Sequence, residues 1–529
     1  MTMNRNLLLL SVLALLFSLP LAAQTVRTIN FTDVAETSLD QIILADIDAA
    51  AEGAHLIYEL ERGFPFLLDG AIEYDGDIHL EIRAQAGDGA PPIILQGVSD
   101  GGENIDQLFR IRGTTQLTLK GLHLTCRTDQ GGYNDRIVRT SGENRVVVDN
   151  CIIDDVGQAA FRVNGGEEKI FIFNSTFNRI GRPSNPDNGR FIDNRSDNID
   201  SIVIRNNVVT NVTSRFWRNQ GGSTANYIEI VGNTFMYSGQ HGFQIDAANT
   251  LIFRDNIVAD PIFFGRTVDD QDTLEDARFV VELDTFDQAR MTVDISNNNF
   301  YVSQAIADNL PITQPDGDTM QTIDGFWFNL AVQDGMAAAG TPMDANFQEE
   351  LTYVRPPVVP RQFQVAWVQD TTSGNEVPAA EPWDLSNIEE YGPYSGTNLG
   401  SEEPIARYIE FYDLCYGADT RSATAATDGG PLGGQVTADC LTTRVEDLSA
   451  DWGVQVFPNP TRGQVELRFA TDQSQLWLTI FNSTGQLIAQ DQVRQNRYQI
   501  DLSSYPNGTY FVRLQNEAEE VAIQTLIKQ

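Results

Sequence analysis

The chain contains 529 residues, of which 20% are charged, and its formal net charge is −38. This length exceeds what one compact core usually supports, so we expect several domains or a solenoid. The strongly negative field argues against nucleic acid and anionic membrane surfaces as partners, and we expect neither.

The first residues predict an export signal. Arg5 precedes an apolar run from Leu7 to Leu16, and the small residues Ala22 and Ala23 come directly before Gln24. The pattern predicts a secretory signal peptide over residues 1–23, because the apolar run is too short for a membrane span. We therefore expect an exported protein that is extracellular or attached to the outer cell surface.

The segment from 24 to 98 predicts one helix followed by short strands. Ser38 is the predicted N-cap of a helix that runs through Ala51, with Gly53 as its stop. Such a helix can cover the open end of a stack of strands, which otherwise exposes unpaired backbone groups.

One short pattern recurs seven times between Leu117 and Phe300. In each copy an apolar strand runs into Gly, Asn or Asp, and these corner residues are 23 to 42 residues apart. A period in this range indicates one structural unit that is stacked many times. Gly and Asn suit left-handed backbone at the corners. The corner residues are Gly121, Asn150, Asn174, Asn206, Gly232, Asp255 and Asn297.

A second short strand precedes the strand of the repeat in most copies. Period-two alternation in this upstream strand predicts an inward apolar column and, one position later, an outward column. Two or three strands in each coil of roughly 23 to 30 residues describe a parallel β-helix. The predicted inward residues are Phe109, Val138, Phe161, Ile192, Trp217 and Phe243.

Residues 38–304 resemble the right-handed parallel β-helix of the pectate-lyase-like superfamily. The opening helix, the strand at 80–83 and the segment 92–97 are part of this resemblance. The resemblance is one of architecture and corner asparagines, and it includes no single diagnostic catalytic motif. We predict an all-β chain with a β-helix over 24–400, including irregular C-terminal coils. Residues 401–453, which include a stretch rich in Gly, Thr, Ala and Asp, predict a linker.

The last 76 residues change character and predict a small antiparallel β-sandwich. Short alternating strands are separated by turns such as Asn507-Gly508. The segments 457–460 (Phe-Pro-Asn-Pro), 507–510 (Asn-Gly-Thr-Tyr) and 527–528 (Ile-Lys) closely resemble the type A sorting domain of the Bacteroidetes type IX secretion system. The resemblance implies that residues 454–529 are recognised by this secretion machinery and are usually removed after export.

The outward column of the upstream strands is basic. Stacked strands lie about 4.8 Å apart, so these side chains would form one ladder. Either the ladder is a surface feature that is neutralised by acidic neighbours, such as Asp154, Asp155, Glu167 and Asp197, or it binds the carboxylates of an acidic polysaccharide. The ladder residues are Arg110, Arg139, Arg162, Asp193, Arg218 and Gln244.

If this surface is catalytic, the family resemblance implies β-elimination at a uronate. One group then neutralises the carboxylate and another takes the C5 proton. The predicted catalytic residues are Arg162, Asp193 and Arg218, and the predicted substrate-binding residues are Arg110, Arg139, Gln244 and His241. Glycoside hydrolysis is an alternative that needs two facing carboxylates, but Asp154-Asp155 lies about three coils away from His241.

Calcium is the one cofactor that the sequence suggests. Acidic residues between 269 and 276 offer clustered oxygen ligands, although a solvated acidic loop explains them as well. No His/Cys cluster has metal-ligand spacing, so we assign no metal ligands. Cys126 and Cys151 are expected to be buried, whereas Cys415 and Cys440 either form a disulfide or stay free.

These patterns together predict a secreted or surface-attached bacterial β-helix protein, a monomer, that engages extracellular acidic polysaccharide. A polysaccharide lyase and a non-catalytic glycan-binding or surface-structural protein remain open as alternatives, because fold alone does not decide function.

Overall fold

A computed structural model describes most of the chain. The described residues are 24–97, 105–128, 132–195, 198–220, 222–267, 278–323, 325, 327–369, 383, 412–437, 440–441, 454–468, 476–482, 487–493, 497–515 and 521–529. The predicted signal peptide and the acidic residues 269–276 lie outside this set. Among the described residues, no helix is long and apolar enough to cross a membrane.

The described residues before 442 form a parallel β-helix built from three long sheets. Each complete coil contributes one strand to each sheet, and neighbouring coils pair in parallel. The ten-stranded sheet A contains β1 (Gln24–Ile29), β2 (His55–Leu60), β5 (His79–Ala84), β8 (Gln116–Lys120), β11 (Arg145–Asp149), β14 (Glu168–Phe173), β17 (Asn198–Arg205), β20 (Thr224–Val231), β23 (Ala247–Arg254) and β26 (Thr292–Ser296).

The other two sheets complete each coil. The nine-stranded sheet B contains β3 (Pro65–Leu68), β6 (Ile93–Gln96), β9 (His123–Thr125), β12 (Ile152–Val156), β15 (Thr176–Ile180), β18 (Val208–Val212), β21 (Thr234–Ser238), β24 (Ile257–Ala259) and β27 (Asn299–Tyr301). The eight-stranded sheet C contains β4 (Ile72–Tyr74), β7 (Gln107–Gly113), β10 (Arg136–Gly142), β13 (Ala159–Val163), β16 (Arg190–Asn194), β19 (Arg215–Asn219), β22 (His241–Ile245) and β25 (Val281–Leu283).

The predicted corner residues all adopt left-handed backbone, with φ between 51° and 64°. The residue that follows each later corner forms a buried amide ladder that the sequence reasoning missed. The side-chain oxygen of Asn233 accepts from the backbone N–H of Asn207 at 2.9 Å, and its amide nitrogen donates to the carbonyl of Ile204 at 2.9 Å. The same bonding recurs at Asn256, Asn298 and Asn346, so each coil satisfies polar groups of the preceding coil.

Apolar side chains fill the interior of the solenoid. All six residues of the predicted inward column are buried, including Trp217, which belongs to the core. The neighbouring residues Phe191 and Phe216 are buried too, so the chain bends inward at two successive positions rather than alternating strictly. Their rings join a chain of aromatic contacts that continues from Phe161 to Phe300.

Helices and short strands close the β-helix. Helix α1 (Leu39–Ala49) follows Ser38 and contacts β3 and β4, as expected for a helix that covers the first coil. After β27, the chain forms α2 (Gln304–Ala307), the hairpin β28 (Ile312–Thr313) and β29 (Thr319–Met320), α3 (Leu330–Ala339) and α4 (Arg361–Val368). Single 3₁₀ turns lie at Phe31–Val34, Pro186–Asn188, Met343–Ala345 and Arg421–Ala423.

Residues 420–437, which we call the strap, return along the outside of the solenoid. The composition predicts a flexible linker here, but the strap packs on sheet B and is bonded to several coils. Thr427 donates to Asp255, the backbone N–H of Gly434 donates to Thr234, and that of Gln435 donates to Asn206. Its glycines permit close approach rather than flexibility, because a Cβ on Gly434 would lie 1.9 Å from the carbonyl oxygen of Asn207. Residues 401–411 and 442–453 of the predicted linker lie outside the described residues.

The cysteines next to the strap form a disulfide. Cys415 and Cys440 are bonded, with their Cα atoms 5.3 Å apart, whereas Cys126 and Cys151 are free and buried. Leu414, Tyr416 and Leu432 join an apolar cluster with Val208 and other residues on the outer face of sheet B. This face is therefore covered.

The C-terminal unit is an antiparallel β-sandwich, as predicted. One sheet pairs β30 (Gln455–Phe457), β31 (Gln464–Arg468) and β34 (Arg497–Asp501), and the other pairs β32 (Leu476–Asn482), β33 (Leu487–Val493), β35 (Gly508–Gln515) and β36 (Val521–Lys528). Side chains from both sheets, including Leu467, Ile480 and Val512, share one core. The predicted fold class, a parallel β-helix followed by a small sandwich, is confirmed.

Candidate functional site

The predicted ladder residues lie side by side on sheet C. The strand register pairs Arg110 with Arg139, Arg139 with Arg162, and Arg162 with Asp193. It continues from Asp193 to Arg218 and then to Gln244. Glu73 precedes this column and Glu282 follows it, so the arginine ladder has an acidic residue at each end.

Asp193 is the buried centre of the ladder. Its carboxylate has no exposed surface and accepts hydrogen bonds from the Nε atoms of Arg162 at 2.9 Å and Arg195 at 3.0 Å. A nitrogen of Arg190 lies 3.5 Å from the other carboxylate oxygen. Burial alone would raise the pKa of Asp193, but the arginines outweigh it and hold the pKa below its ordinary value. Asp193 therefore fixes these side chains and does not face the solvent.

Two ladder arginines form no ion pair with a described residue. Arg110 is paired with Glu73 at 3.5 Å and Arg162 with Asp193, but the guanidinium groups of Arg139 and Arg218 form no ion pair with any described residue. Burial, followed by the charges of Arg110 and Arg162, lowers the pKa of Arg139. Two of the acidic neighbours that could neutralise the ladder, Asp154 and Asp155, have other partners. Asp155 binds Arg179, Asp154 binds His123, and Asp197 lies outside the described residues.

A second basic row, three residues before the ladder in four of the six strands, was missed. The register pairs Arg190 with Arg215 and Arg215 with His241, and Arg136 occupies the same position two coils before Arg190. Burial lowers the pKa of each of these three arginines to about 10. The Nε atoms of all three are buried without a hydrogen-bond partner. A basic residue stands three positions before four of the six ladder residues, and this recurring spacing could have revealed the row.

The His241 end of the two rows combines a histidine, two arginines and an amide. His241 is 15% exposed, and its Nδ1 lies 3.2 Å from an oxygen of Glu282. Burial lowers the pKa of His241 although Glu282 opposes the shift, and this direction favours the neutral ring. Arg215 donates to the side chain of Gln244, and Arg218 occupies the neighbouring ladder position.

Several other predicted candidates are structural in this arrangement. Asp154 and Asp155 are buried in β12 on sheet B, where Arg179 binds both carboxylates, whereas His241 belongs to sheet C. No pair of facing carboxylates is therefore formed by Asp154-Asp155 near His241. The predicted calcium cluster at 269–276 lies outside the described residues.

One described cluster of potential metal ligands was not expected from the sequence. One ligand atom from each of His55, His79 and Glu81 lies within 4.8 Å of the other two. The residues are 24 and two positions apart in the chain, and only the coil register brings them together. A second group, Asp413 with Cys415 and Cys440, is unsuited to a metal because its cysteines form the disulfide.

The comparison with protein families identifies the C-terminal unit. Residues 455–529 match the family model described as the secretion system C-terminal sorting domain. This match confirms the type IX sorting domain expected from the sequence. It indicates that the chain is exported and is either attached to the cell surface or released there. No curated protein matches the chain.

Comparison with solved structures gives weak likenesses. A DUF3244 family protein from Bacteroides vulgatus, with an immunoglobulin-like β-sandwich fold, matches at 12% identity and a TM-score of 0.14, over 15% of this chain and 88% of that chain. The PL6 family alginate lyase AlyGC matches at 13% identity and a TM-score of 0.28, over 53% of this chain and 40% of that chain. A mutant of the same lyase matches at 12% identity and a TM-score of 0.31, over 53% and 37%. This chain thus spans well under half of the lyase chains, and the β-helix is established by its own three sheets.

Proposed function

We propose that this secreted β-helix protein binds an acidic extracellular polysaccharide along the arginine ladder. The observation that supports the proposal is that neither Arg139 nor Arg218 forms an ion pair with a described residue, on a chain of net charge −38. A polyanion would supply the missing counter-charges. The planar guanidinium group suits this role because it can hold a carboxylate by two parallel hydrogen bonds.

The ends of the ladder suggest how much polymer is bound. Glu73 and Glu282 would repel a polyanion, so contacts are restricted to the stretch between them. At about 4.8 Å per coil, the distance from Arg110 to Arg218 is about 19 Å, which accommodates several sugar units. The second row, three positions earlier in the same strands, adds Nε donors that have no hydrogen-bond partner among the described residues, at Arg136, Arg190 and Arg215.

The binding proposal is tested with purified full-length protein and its Arg139→Gln/Arg218→Gln variant. Pectate, alginate and glycosaminoglycans serve as acidic ligands, and a neutral dextran is the matched negative ligand. We expect the double variant to bind the preferred acidic glycan at least tenfold more weakly, since each lost charged hydrogen bond contributes about 1.5–3 kcal/mol. Arg290→Gln is the control, because Arg290 is 81% exposed and lies outside sheet C. Equal binding by the wild type and the double variant would refute the proposal.

A second candidate function, cleavage by β-elimination, is favoured by His241. Glu282 binds Nδ1 of the neutral ring, which leaves Nε2 without a hydrogen bond to a described residue. A neutral imidazole with one anchored nitrogen is a suitable general base near neutral pH. Arg218, which lacks an acidic partner, would neutralise the uronate carboxylate, while Asp193 would hold Arg162 in place.

In this reaction Nε2 of His241 would take the C5 proton, and the electron pair of the C–H bond would become the C4–C5 double bond. The C4–O bond of the glycosidic link would break, and its oxygen would leave with a proton from solvent. Arg218 would stabilise the negative charge that develops on the carboxylate. No oxidant and no added water across the bond are required.

Cleavage is tested by following the ultraviolet absorbance of the unsaturated product, with and without calcium. We expect His241→Gln to lose product formation while it retains glycan binding within a few-fold of the wild type. Binding by the wild type without product on any acidic glycan would reject the lyase and retain the binding protein.

The remaining sequence expectations belong to the same proposal. Residues 1–23 would be removed as the signal peptide, residues 454–529 would be recognised by the secretion machinery, and the β-helix would act as a monomer. Mass spectrometry of the secreted protein gives both new termini directly.

A further inference from the structure

A cluster of histidine and glutamate lies on the outer face of sheet A, away from the arginine ladder. β2 and β5 are neighbouring strands, and His55 is paired directly with His79. Glu81 follows two positions later, so its side chain projects on the same face as His79. The alternate residues Leu80 and Ile82 point inward, since both are fully buried.

The three side chains bring their potential ligand atoms within 4.8 Å of one another. The imidazole rings of His55 and His79 are stacked with centroids 3.8 Å apart and planes 6° from parallel. Nε2 of His55 lies 3.4 Å from Oε2 of Glu81 and is buried without a hydrogen-bond partner. Nε2 of His79 lies 2.9 Å from the hydroxyl of Thr118.

The two oxygens of Glu81 have different surroundings. Oε1 is held by Arg83 at 3.0 Å and lies 3.7 Å from Nζ of Lys120, whereas Oε2 faces His55. Arg83 is itself neutralised by Glu59 at 2.7 Å. One carboxylate oxygen thus remains directed at His55, and only 7% of the Glu81 side chain is exposed.

We propose that His55, His79 and Glu81 bind a divalent transition-metal ion of the zinc class. Two imidazoles and one carboxylate are ligands that zinc accepts, with a fourth position left for water. Binding requires the stacked rings to tilt so that both nitrogen lone pairs point at one ion. The ion would join β2 to β5 and so fasten two early coils of the solenoid to each other.

The first experiment measures zinc binding directly. Full-length protein without a histidine tag is treated with a chelator, dialysed and titrated with zinc chloride in a calorimeter. We expect one ion per chain, and at least about tenfold weaker binding for His55→Gln, His79→Gln and Glu81→Gln, because each removes a ligand. His241→Gln is the matched control, since it removes a histidine from sheet C and should bind like the wild type.

Two further measurements distinguish a site from general surface affinity. The Cu²⁺ form should show nitrogen hyperfine splitting from two imidazoles by electron paramagnetic resonance, and the splitting should fall to one nitrogen in His79→Gln. Lys120→Gln should bind zinc roughly threefold more tightly, because it removes a nearby positive charge in a largely solvated setting. Far-ultraviolet circular dichroism checks that each variant is folded.

The outcomes are decisive in either direction. The proposal would be overturned if the folded wild type did not bind zinc at one ion per chain. It would also be overturned if the folded His55→Gln and His79→Gln variants bound zinc as tightly as the wild type. Loss of binding in His241→Gln alone would transfer the site to sheet C and also refute it. Failure of glycan binding would not affect this result, since the two sites lie on different sheets.

Discussion

Replacing Asp193 by asparagine should destabilise the β-helix strongly. The substitution keeps the shape of the side chain but removes the charge that Arg162 and Arg195 contact at 2.9 and 3.0 Å. Arg162 is 11% exposed and Arg190 is 3% exposed, so both would remain as buried cations, whereas Arg195 at 31% exposure is partly solvated. Removing one partner of a buried ion pair costs about 3–5 kcal/mol, and we expect a loss in this range at pH 7.

The effect should also depend on pH. The arginines hold the pKa of Asp193 below its ordinary value, so the stabilisation is present above the unfolded-state pKa and is lost as pH falls through the folded-state value. The difference in unfolding free energy between wild type and Asp193→Asn should therefore narrow below about pH 4.

Urea unfolding followed by circular dichroism and tryptophan fluorescence measures this difference. Asp200→Asn is the matched control, because Asp200 is 34% exposed and lies 3.8 Å from Lys169, and it should cost less than about 1 kcal/mol. A loss for Asp193→Asn that is no larger than the control's would refute the assignment of Asp193 as the buried anchor of the ladder.

Three further predictions concern stability elsewhere in the β-helix. Burial raises the pKa of Asp260 to about 7, so wild-type stability should decline as pH rises from 4 to 7. Asparagine tolerates the φ of 48° at this position, and Asp260→Asn should stabilise the protein at pH 8 by at most about 4 kcal/mol. A variant whose thermal melts show the same pH profile as the wild type would contradict this prediction. Asn233→Ala leaves the N–H of Asn207 and the carbonyl of Ile204 without partners, so we expect a loss of roughly 3 kcal/mol in urea unfolding, and a loss below 1 kcal/mol would count against the amide ladder. Replacing both Cys415 and Cys440 by serine opens a 25-residue loop and should raise hydrogen exchange in the strap, at a cost of about 3 kcal/mol; unchanged exchange there would show that the strap does not need the disulfide.

The architecture was predictable because each repeat is marked by a short apolar strand and a corner residue next to it in the sequence. Gly, Asn and Asp adopt left-handed backbone more readily than other residue types, and Asn150 and Asn206 both adopt it. Each such corner therefore marks one coil. The interval between corners then aligns the strands, which is why the ladder from Arg110 to Gln244 could be placed in register from the sequence alone.

The partners of individual side chains could not be predicted in the same way. Whether an arginine is free or neutralised depends on neighbours one coil away, and Arg162 and Arg218 differ although they occupy the same column. The pairing of His55 with His79 likewise depends on the length of the connection between two coils, to which composition and hydropathy are insensitive. The strap was missed for a related reason, because glycine-rich sequence is equally suited to a mobile chain and to a segment pressed against Asn207.

The strap changes how such a solenoid can come apart. A stack of repeats joined only to nearest neighbours can lose its last coil at little cost, and then the next. Here Gln435 is bonded to Thr176 across 259 residues of chain, and Thr427 to Asp255 across 172. Coils between these points cannot peel away one by one while the strap is docked, and the strap cannot dock until they have formed. The strap is the last part of this unit to be synthesised, and its docking holds the earlier coils together. An exported protein therefore becomes resistant to fraying and to proteases once its coils are complete and the strap has docked.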